Sequence, residues 1–415
     1  MDNHELLSPR PNQQQPNDPQ AERTISFAKE VIGITGSAIV GGVSGYKDIA
    51  KGVSSLLFKA GGFSLLVTFV CAVVLMQFQM HLPPGAARRH GRCIDLSSAV
   101  LVTLTGVLLV ATNGTLVALM NRDGNTALVI LVLPVALVLA TLAGADMPPW
   151  DDAAAMAAVQ DEAYEEAMKG NGEIASFGAT AAFAIEGALI LGYLKYPRFD
   201  GSTSPPQVDL AVASFASTVS MLAMAATALP IRTLFPSARS RAVAVVGHLN
   251  RSMLAALVAT ATILAVEFLQ WWFMLSIIPE AIAVALNVAI MAWTEDGEAV
   301  TDVDNGDGDA AARERMSKGF RTVATISITL MACTYAVYLG QKTYDVYLKA
   351  AMLVMLAAVV SSLRQMLRPF ELDLPRAKGW WAVAAGAVSL VFPGLALVIA
   401  VPLLVKIFVH LLRTR

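Results

Sequence analysis

The chain has 415 residues, of which 56% are hydrophobic and 15% are charged, and its formal net charge is −2. A typical soluble domain is about 25% charged, so this composition excludes an ordinary soluble protein. The near-zero charge excludes the basic footprint of a nucleic-acid-binding protein, and three scattered cysteines exclude a disulfide framework. The sequence predicts an all-α fold, that of a polytopic helical membrane protein in contact with the lipid bilayer.

Apolar runs long enough to cross a bilayer recur along the whole chain. A transmembrane helix needs about 20 mainly apolar residues to cross a hydrocarbon core of about 30 Å. By this criterion we predict about ten transmembrane helices, with nine and eleven as the bounds. The predicted spans are 62–80, 96–120, 126–144, 174–194, 208–230, 253–272, 273–293, 320–340, 345–362 and 380–400.

The N-terminal region is polar before it becomes apolar. Residues 1–30 are rich in Gln, Asn and Pro and are predicted to be a disordered tail. Residues 31–61 are predicted to be an interfacial or re-entrant segment. Its apolar part, Val31–Tyr46, is rich in glycine and about a turn shorter than a membrane-crossing helix. The alternative is that this part crosses the membrane as an eleventh span.

Two acidic loops, 145–173 and 294–319, divide the apolar runs into three membrane blocks. Ala, Glu and Met in the first loop predict a short surface helix that starts after Pro149. Gly and Asp in the second loop predict a flexible linker. The blocks are 62–144 with three spans, 174–293 with four spans and 320–415 with about three spans.

Lys and Arg residues are concentrated in the loops that follow the odd-numbered spans of this prediction. The positive-inside rule therefore places those loops, including both acidic loops, in the cytoplasm. Ten spans would then leave the long N-terminal tail on the opposite side, although nothing in the tail signals export. An eleventh span at 31–46 would remove this conflict.

The run from Met253 to Trp293 contains two carboxylates, Glu267 and Glu280, beside an adjacent Trp pair. One continuous helix of this length would extend about 60 Å, twice the hydrocarbon thickness. We therefore predict a tight hairpin that bends near Phe273. Trp side chains favour the membrane–water interface, where the carboxylate of Glu267 can reach water.

Glu186 lies close to the centre of the predicted span 174–194. A charged carboxylate at that depth costs at least about 2.5 kcal/mol, so it should be protonated, paired or exposed to a watery cavity. A neutral Glu186 that is bonded to hydroxyls would clamp two helices together. A Glu186 that releases its proton into a cavity would instead be a coupling group for transport. The next span supplies the hydroxyls predicted to face it, Ser214, Ser217, Thr218 and Ser220.

Three other residues are weaker candidates for an intramembrane polar site: Glu267, Asn113 and Asn287. Asparagine inside an apolar run more often forms hydrogen bonds between helices than it binds a ligand. The sequence predicts no catalytic residues, no metal site and no cofactor. Its five histidines lack metal-binding spacing, and the stretch that resembles a calcium loop has Val303 where the first Asp ligand belongs.

Two functions from different classes are compatible with these features. In the first, the protein moves a small solute or ion, and Glu186 with its hydroxyls forms the site. In the second, it is a membrane scaffold whose acidic loops, or basic loop 236–251, bind a cytosolic protein. The scaffold hypothesis predicts that deletion of residues 298–312 removes function while Glu186→Gln has no effect. The transport hypothesis predicts the reverse.

Overall fold

The computed structural model describes residues 19–44, 55–81, 86–120, 132–136, 139, 155–195, 208–235, 238–276, 306–338, 345–367, 395–396, 398–407 and 409. These residues are 98% helical and include no strand, which confirms the predicted all-α class. The α-helices are α1 (Pro19–Ser44), α2 (Ser55–Met80), α3 (Ala86–Met120), α4 (Ala155–Lys195), α5 (Val208–Ala228), α6 (Ile231–Leu234), α7 (Arg239–Leu269), α8 (Gly306–Tyr338), α9 (Val346–Leu367) and α10 (Val398–Ile407).

Seven of these helices contain a segment long and apolar enough to cross a membrane, as expected for a multi-pass membrane protein. The seven segments are Lys59–Met80, Gly91–Ala118, Ala163–Tyr193, Val208–Ala228, Arg239–Phe273, Lys318–Tyr338 and Val346–Leu363. Each overlaps one predicted span. The predicted spans 126–144, 273–293 and 380–400 lie largely outside the described residues, so the total of about ten stays a prediction.

The long helices run between two ends of one bundle. We call the end where Arg23 and Arg321 form ion pairs with α4 the arginine end. We call the end where Tyr193 and Tyr335 lie the tyrosine end. Helices α4, α7 and α8 run from the arginine end to the tyrosine end, while α5 and α9 run back. Helix α5 packs against both α4 and α7.

The helices differ in how much of their surface the bundle covers. In the apolar segment of α5, 67% of the residues are buried, against 28% in each of α2 and α3. Large apolar side chains on α2 and α3 are exposed, among them Phe63, Val70, Val100 and Val107. Helix α5 is therefore central, and α2 and α3 present apolar faces suited to lipid contact.

Helix α1 differs from the sequence prediction because it is one continuous helix over residues 19–44. Phe27, Val31 and Ile34 recur at helical spacing and are buried in the bundle. The apolar face thus begins before residue 31. Residues 19–30, which are predicted to be disordered, are ordered because this face and the polar first turn both have partners on other helices.

The polar first turn of α1 binds the arginine end. Gln20 Nε2 donates a hydrogen bond to the backbone oxygen of Ala228 at 2.7 Å, and Thr24 Oγ1 donates to the same oxygen at 3.3 Å. That carbonyl lies in the last turn of α5, where helical carbonyls lack partners within the helix. The guanidinium of Arg23 pairs with Glu165 at 3.2 Å and lies 5.7 Å from the ring centroid of Tyr164. The first turn of α1 therefore joins α4 to α5.

Three helices extend beyond the limits predicted from the sequence. Helix α4 begins at Ala155 and continues without a break into its apolar segment, so the predicted short surface helix is part of α4. Helix α8 begins at Gly306, inside the predicted flexible linker. Helix α7 begins at Arg239, because Val245, Val246 and Leu249 bury one face of the predicted basic loop.

The far end of α7 breaks sharply. The α-helix ends at Leu269. Gln270 has a φ of 55°, a backbone conformation that residues other than glycine rarely adopt. A 3-10 helix, Gln270–Ser276, follows. The break lies close to the bend predicted near Phe273; the returning half of that hairpin lies outside the described residues.

Small residues on α4 allow its neighbours to approach closely. A Cβ at Gly178 would lie 1.5 Å from Met253 Sδ of α7, and one at Gly192 would lie 2.9 Å from Ala336 Cα of α8. Alanines of α4 that are fully buried, including Ala179 and Ala182, continue this surface. Close approach of this kind is how helices associate in membranes. It allows α4 to contact α5, α7 and α8 together.

Candidate functional site

Glu186 lies on α4, within the apolar segment Ala163–Tyr193, and its side chain is completely buried. The short side chains of α4 and α5 bring the two helices together at this depth. Ser214 Oγ of α5 donates a hydrogen bond to Glu186 Oε1 at 2.9 Å. The predicted contact between Glu186 and the hydroxyls of the next span is present for Ser214.

The second carboxylate oxygen of Glu186 has no partner. Oε2 is buried and accepts no hydrogen bond from any part of the chain that the structure describes. Ser217 Oγ lies beside the same carboxyl group, one turn along α5, but without the geometry of a hydrogen bond. No basic side chain pairs with Glu186 among the described residues. Glu186 Oε2 and Ser217 Oγ are thus both buried in this interface without a hydrogen bond.

Asn113 brings a third helix into this cluster. Its Nδ2 donates to the backbone oxygen of Ser214 at 3.1 Å and to Thr218 Oγ1 at 2.9 Å. The backbone oxygen can only accept, which fixes the orientation of the Asn113 amide. Asn113 Oδ1 is buried and has no hydrogen-bond partner. We call Asn113, Glu186, Ser214, Ser217 and Thr218 the central polar cluster; it joins α3, α4 and α5.

The remaining candidates lie elsewhere. Ser220 Oγ donates to the backbone oxygens of Ala216 at 2.7 Å and Ser217 at 2.9 Å, within its own helix. Asn287 lies outside the described residues. Glu267 lies near the end of α7, at the tyrosine end. It is therefore separate from the central polar cluster.

A second polar group, of which the sequence indicated only Glu267, lies at the tyrosine end. Tyr193 of α4 donates to Asp209 Oδ2 of α5 at 2.5 Å. Tyr335 of α8 donates to Glu267 of α7, and the two phenol groups lie close to each other. We call these four residues the tyrosine–carboxylate cluster. It joins the ends of α4, α5, α7 and α8.

The sequence contained a partial signal for this cluster. Tyr193, Asp209 and Tyr335 each lie within a few residues of the end of an apolar run, where tyrosine is common. That position alone indicates an anchor at the interface. Only the packing of α4, α5, α7 and α8 brings the four side chains together.

The described residues hold no group of three or more His, Cys, Asp or Glu side chains arranged to bind a metal ion. Outside the membrane segments, Lys406 Nζ of α10 donates to Asp345 Oδ2 at 2.5 Å, just before α9 begins. This hydrogen bond to a cation lowers the pKa of the Asp345 carboxyl below its ordinary value. Lys406 also lies 5.1 Å from the ring centroid of Tyr347, so α10 is fixed to the start of α9.

Comparison with known proteins finds no matching family model, no matching curated protein and no matching solved structure.

Proposed function

We propose that this protein moves a small solute or ion across the membrane and that Glu186 is the residue that binds it. The observation that carries the proposal is a completely buried carboxylate within an apolar segment, with one oxygen bonded to Ser214 and the other without a hydrogen bond. Ionisable residues inside membrane segments commonly mark paths for ions or substrates.

The main alternative for Glu186 is a structural clamp between α4 and α5. A clamp requires only an acceptor for the Ser214 hydroxyl, and the carbonyl oxygen of a glutamine would supply it without a charge. A carboxylate costs at least about 2.5 kcal/mol when it ionises at this depth. Its distinctive property is therefore the ability to gain and lose a charge, which a transport site uses and a clamp does not.

The cluster also has the composition of a site between helices. Its groups come from α3, α4 and α5, and three of its oxygens have no hydrogen bond: Glu186 Oε2, Ser217 Oγ and Asn113 Oδ1. Buried polar atoms without partners cost about 1–3 kcal/mol each, so a purely structural cluster would be expected to pair them. A ligand that bound here would recover part of that free energy.

The test is ion flux into proteoliposomes under an imposed gradient, with probes for protons, Na⁺ and K⁺. Glu186→Gln keeps the size of the side chain and an acceptor for Ser214 but cannot ionise. Ser220→Ala is the matched control, because Ser220 is buried on α5 and its hydroxyl bonds to the backbone of its own helix. We expect flux in the wild type and in Ser220→Ala, and little or none in Glu186→Gln.

Two outcomes would contradict the proposal. Unchanged flux in Glu186→Gln would make Glu186 a clamp. No flux of any of the three ions through the wild type would reject ion movement, and the scaffold hypothesis would become the better account. In that case deletion of residues 298–305, which leaves α8 intact, should remove the cellular phenotype that Glu186→Gln retains.

A further inference from the structure

We propose that the ligand exchanged at Glu186 is a proton, and that it enters and leaves the central polar cluster through the tyrosine end. This inference rests on the proposed function, because it names the ion that the site moves. It also concerns properties of Glu186 that can be measured without any transport assay.

The space around Glu186 selects the smallest ligand. The side chain is completely buried, and water cannot reach Oε2. A calcium or magnesium ion would need several oxygen ligands at about 2.0–2.6 Å and a cavity to hold it. A proton needs no cavity, because it is bound as part of the carboxyl group. In this closed arrangement the ligand that fits is a proton on Oε2.

The hydrogen-bond pattern favours the same ligand. A protonated Oε2 becomes a donor, and Ser217 Oγ, close to the same carboxyl group, is a buried acceptor without a partner. One bound proton therefore gives both oxygens a hydrogen bond, while Ser214 continues to donate to Oε1. It also removes the negative charge, for which no described residue supplies a cation.

The charged groups around Glu186 are few. Helix α3 contributes the neutral Asn113, and α5 contributes hydroxyl groups. Along α4, the nearest ionisable side chain on the same face is Tyr193, and its partner on α5 is Asp209. Glu267 and Tyr335 complete this set from α7 and α8. The nearest carboxyl and phenol groups to Glu186 along the helices thus lie at the tyrosine end; the other titratable group of this region is the half-buried Cys333 thiol of α8, one turn before Ala336.

Distances along α4 favour exit at that end. Glu186 and Tyr193 are seven residues apart, which is two helical turns and about 10 Å on the same face. The side chains of α4 and α5 that are buried between them, including Leu189 and Leu210, are apolar. Towards the arginine end, α5 carries the hydroxyls of Ser217, Thr218 and Ser220, but the next ionisable side chain of α4 is Glu173, thirteen residues and about 20 Å away.

The tyrosine–carboxylate cluster would act as the gate. The hydrogen bond from Tyr193 to Asp209 holds the end of α4 against the start of α5. When it breaks and the helices separate, water can reach Glu186. The O–H bond at Oε2 then breaks, the water oxygen takes the proton, and the carboxylates of Asp209 and Glu267 are its next acceptors. Uptake follows the same steps in reverse.

Infrared spectroscopy of the protein in lipid nanodiscs tests the proton directly. A protonated carboxyl group has a C=O stretching band that is distinct from that of a carboxylate and shifts in D₂O. We expect a band that Glu186→Gln removes and that disappears reversibly as the pH rises. Ser217→Ala should shift its frequency, because the acceptor is lost, while Ser220→Ala should leave it unchanged.

The rate at which this band shifts after transfer to D₂O tests the route. Tyr193→Phe removes the hydroxyl that bonds to Asp209 and keeps the ring. A hydrogen bond to a charged group is strong enough that its loss should accelerate exchange about tenfold to hundredfold. Thr227→Val, at the arginine end, is the matched control and should leave the exchange rate unchanged.

Each result separates this inference from the proposed function. A Glu186 band that persists at every pH and does not exchange would identify a permanent clamp and overturn the inference. Flux of Na⁺ or K⁺ that depends on Glu186, with no such band, would overturn the proton while the proposed function stands. A titrating band without flux would retain the proton site and reject transport. Faster exchange in Thr227→Val alone would overturn the route.

Discussion

Substitution of Gly192 by alanine should separate α4 from α8 at the tyrosine end. The added Cβ would lie 2.9 Å from both Cα and Cβ of Ala336 and 3.4 Å from its backbone oxygen. Because two of these atoms belong to the backbone of α8, no side-chain rotation can relieve the contact. The helices would have to move apart by about 0.5 Å, and overpacking of this kind costs about 1–3 kcal/mol.

Gly187→Ala is the matched control for this prediction. Gly187 is on the same helix, and a Cβ there would meet nothing within 4 Å. Alanine is a better helix former than glycine by up to about 1 kcal/mol, so this variant should be slightly more stable than the wild type. The gain in helix propensity is common to both variants, so their free energies of unfolding should differ by the cost of overpacking, about 1–3 kcal/mol.

The assay is reversible unfolding in mixed detergent micelles, with tryptophan fluorescence as the signal. It is carried out on the wild type and on each variant. The close approach of α4 and α8 predicts a lower free energy of unfolding for Gly192→Ala and an equal or higher one for Gly187→Ala. If Gly192→Ala were as stable as Gly187→Ala, the two helices could not be packed as closely as the structure has them, and the argument from small residues on α4 would fail.

Two further predictions concern other contacts between helices. Gly178→Ala should destabilise the protein because its Cβ would lie 1.5 Å from Met253 Sδ. Met253→Ala in the same chain should restore part of the lost free energy of unfolding. If the effects of the two substitutions were additive in the same unfolding assay, the contact would be contradicted. The lowered pKa of Asp345 means that its bond to Lys406 is fully present above the ordinary pKa of aspartate and is lost only as the pH falls through the lowered value. Titration of the Asp345 carboxyl carbon by NMR should therefore show an acid-shifted midpoint that moves up in Lys406→Met, and equal midpoints would refute the contact.

The sequence was sufficient for the class of fold and for the position of Glu186 within an apolar segment. Long apolar runs predict membrane helices because the bilayer sets their length, and Glu186 is conspicuous because ionisable residues inside such runs are rare. Apolar periodicity also places Ser214 on the helix that follows. These inferences need only residues that are close in the sequence.

The errors have a common physical cause, which is contact between distant segments. Asn113 joins the central polar cluster through Thr218, 105 residues later, and no local pattern indicates that pairing. The order in residues 19–30 depends on Ala228 and Glu165 in the same way. Ser220 was expected to face Glu186, but serine in a helix can bond to its own backbone instead, and it does so here.

The contact between Gln20 and Ala228 also has a consequence for how the chain is made. The two residues are separated by 208 positions, so α1 cannot complete its contacts until α5 has been synthesised. At about 5–20 residues per second, that delay is on the order of ten to forty seconds. Before α4 and α5 follow, the polar side chains of Gln20, Arg23 and Thr24 can bond only within α1, which packs against α2 through its apolar face. The start of α1 thus completes its contacts long after it is translated, which exposes this step of assembly to chaperones and to truncation of the chain before residue 228.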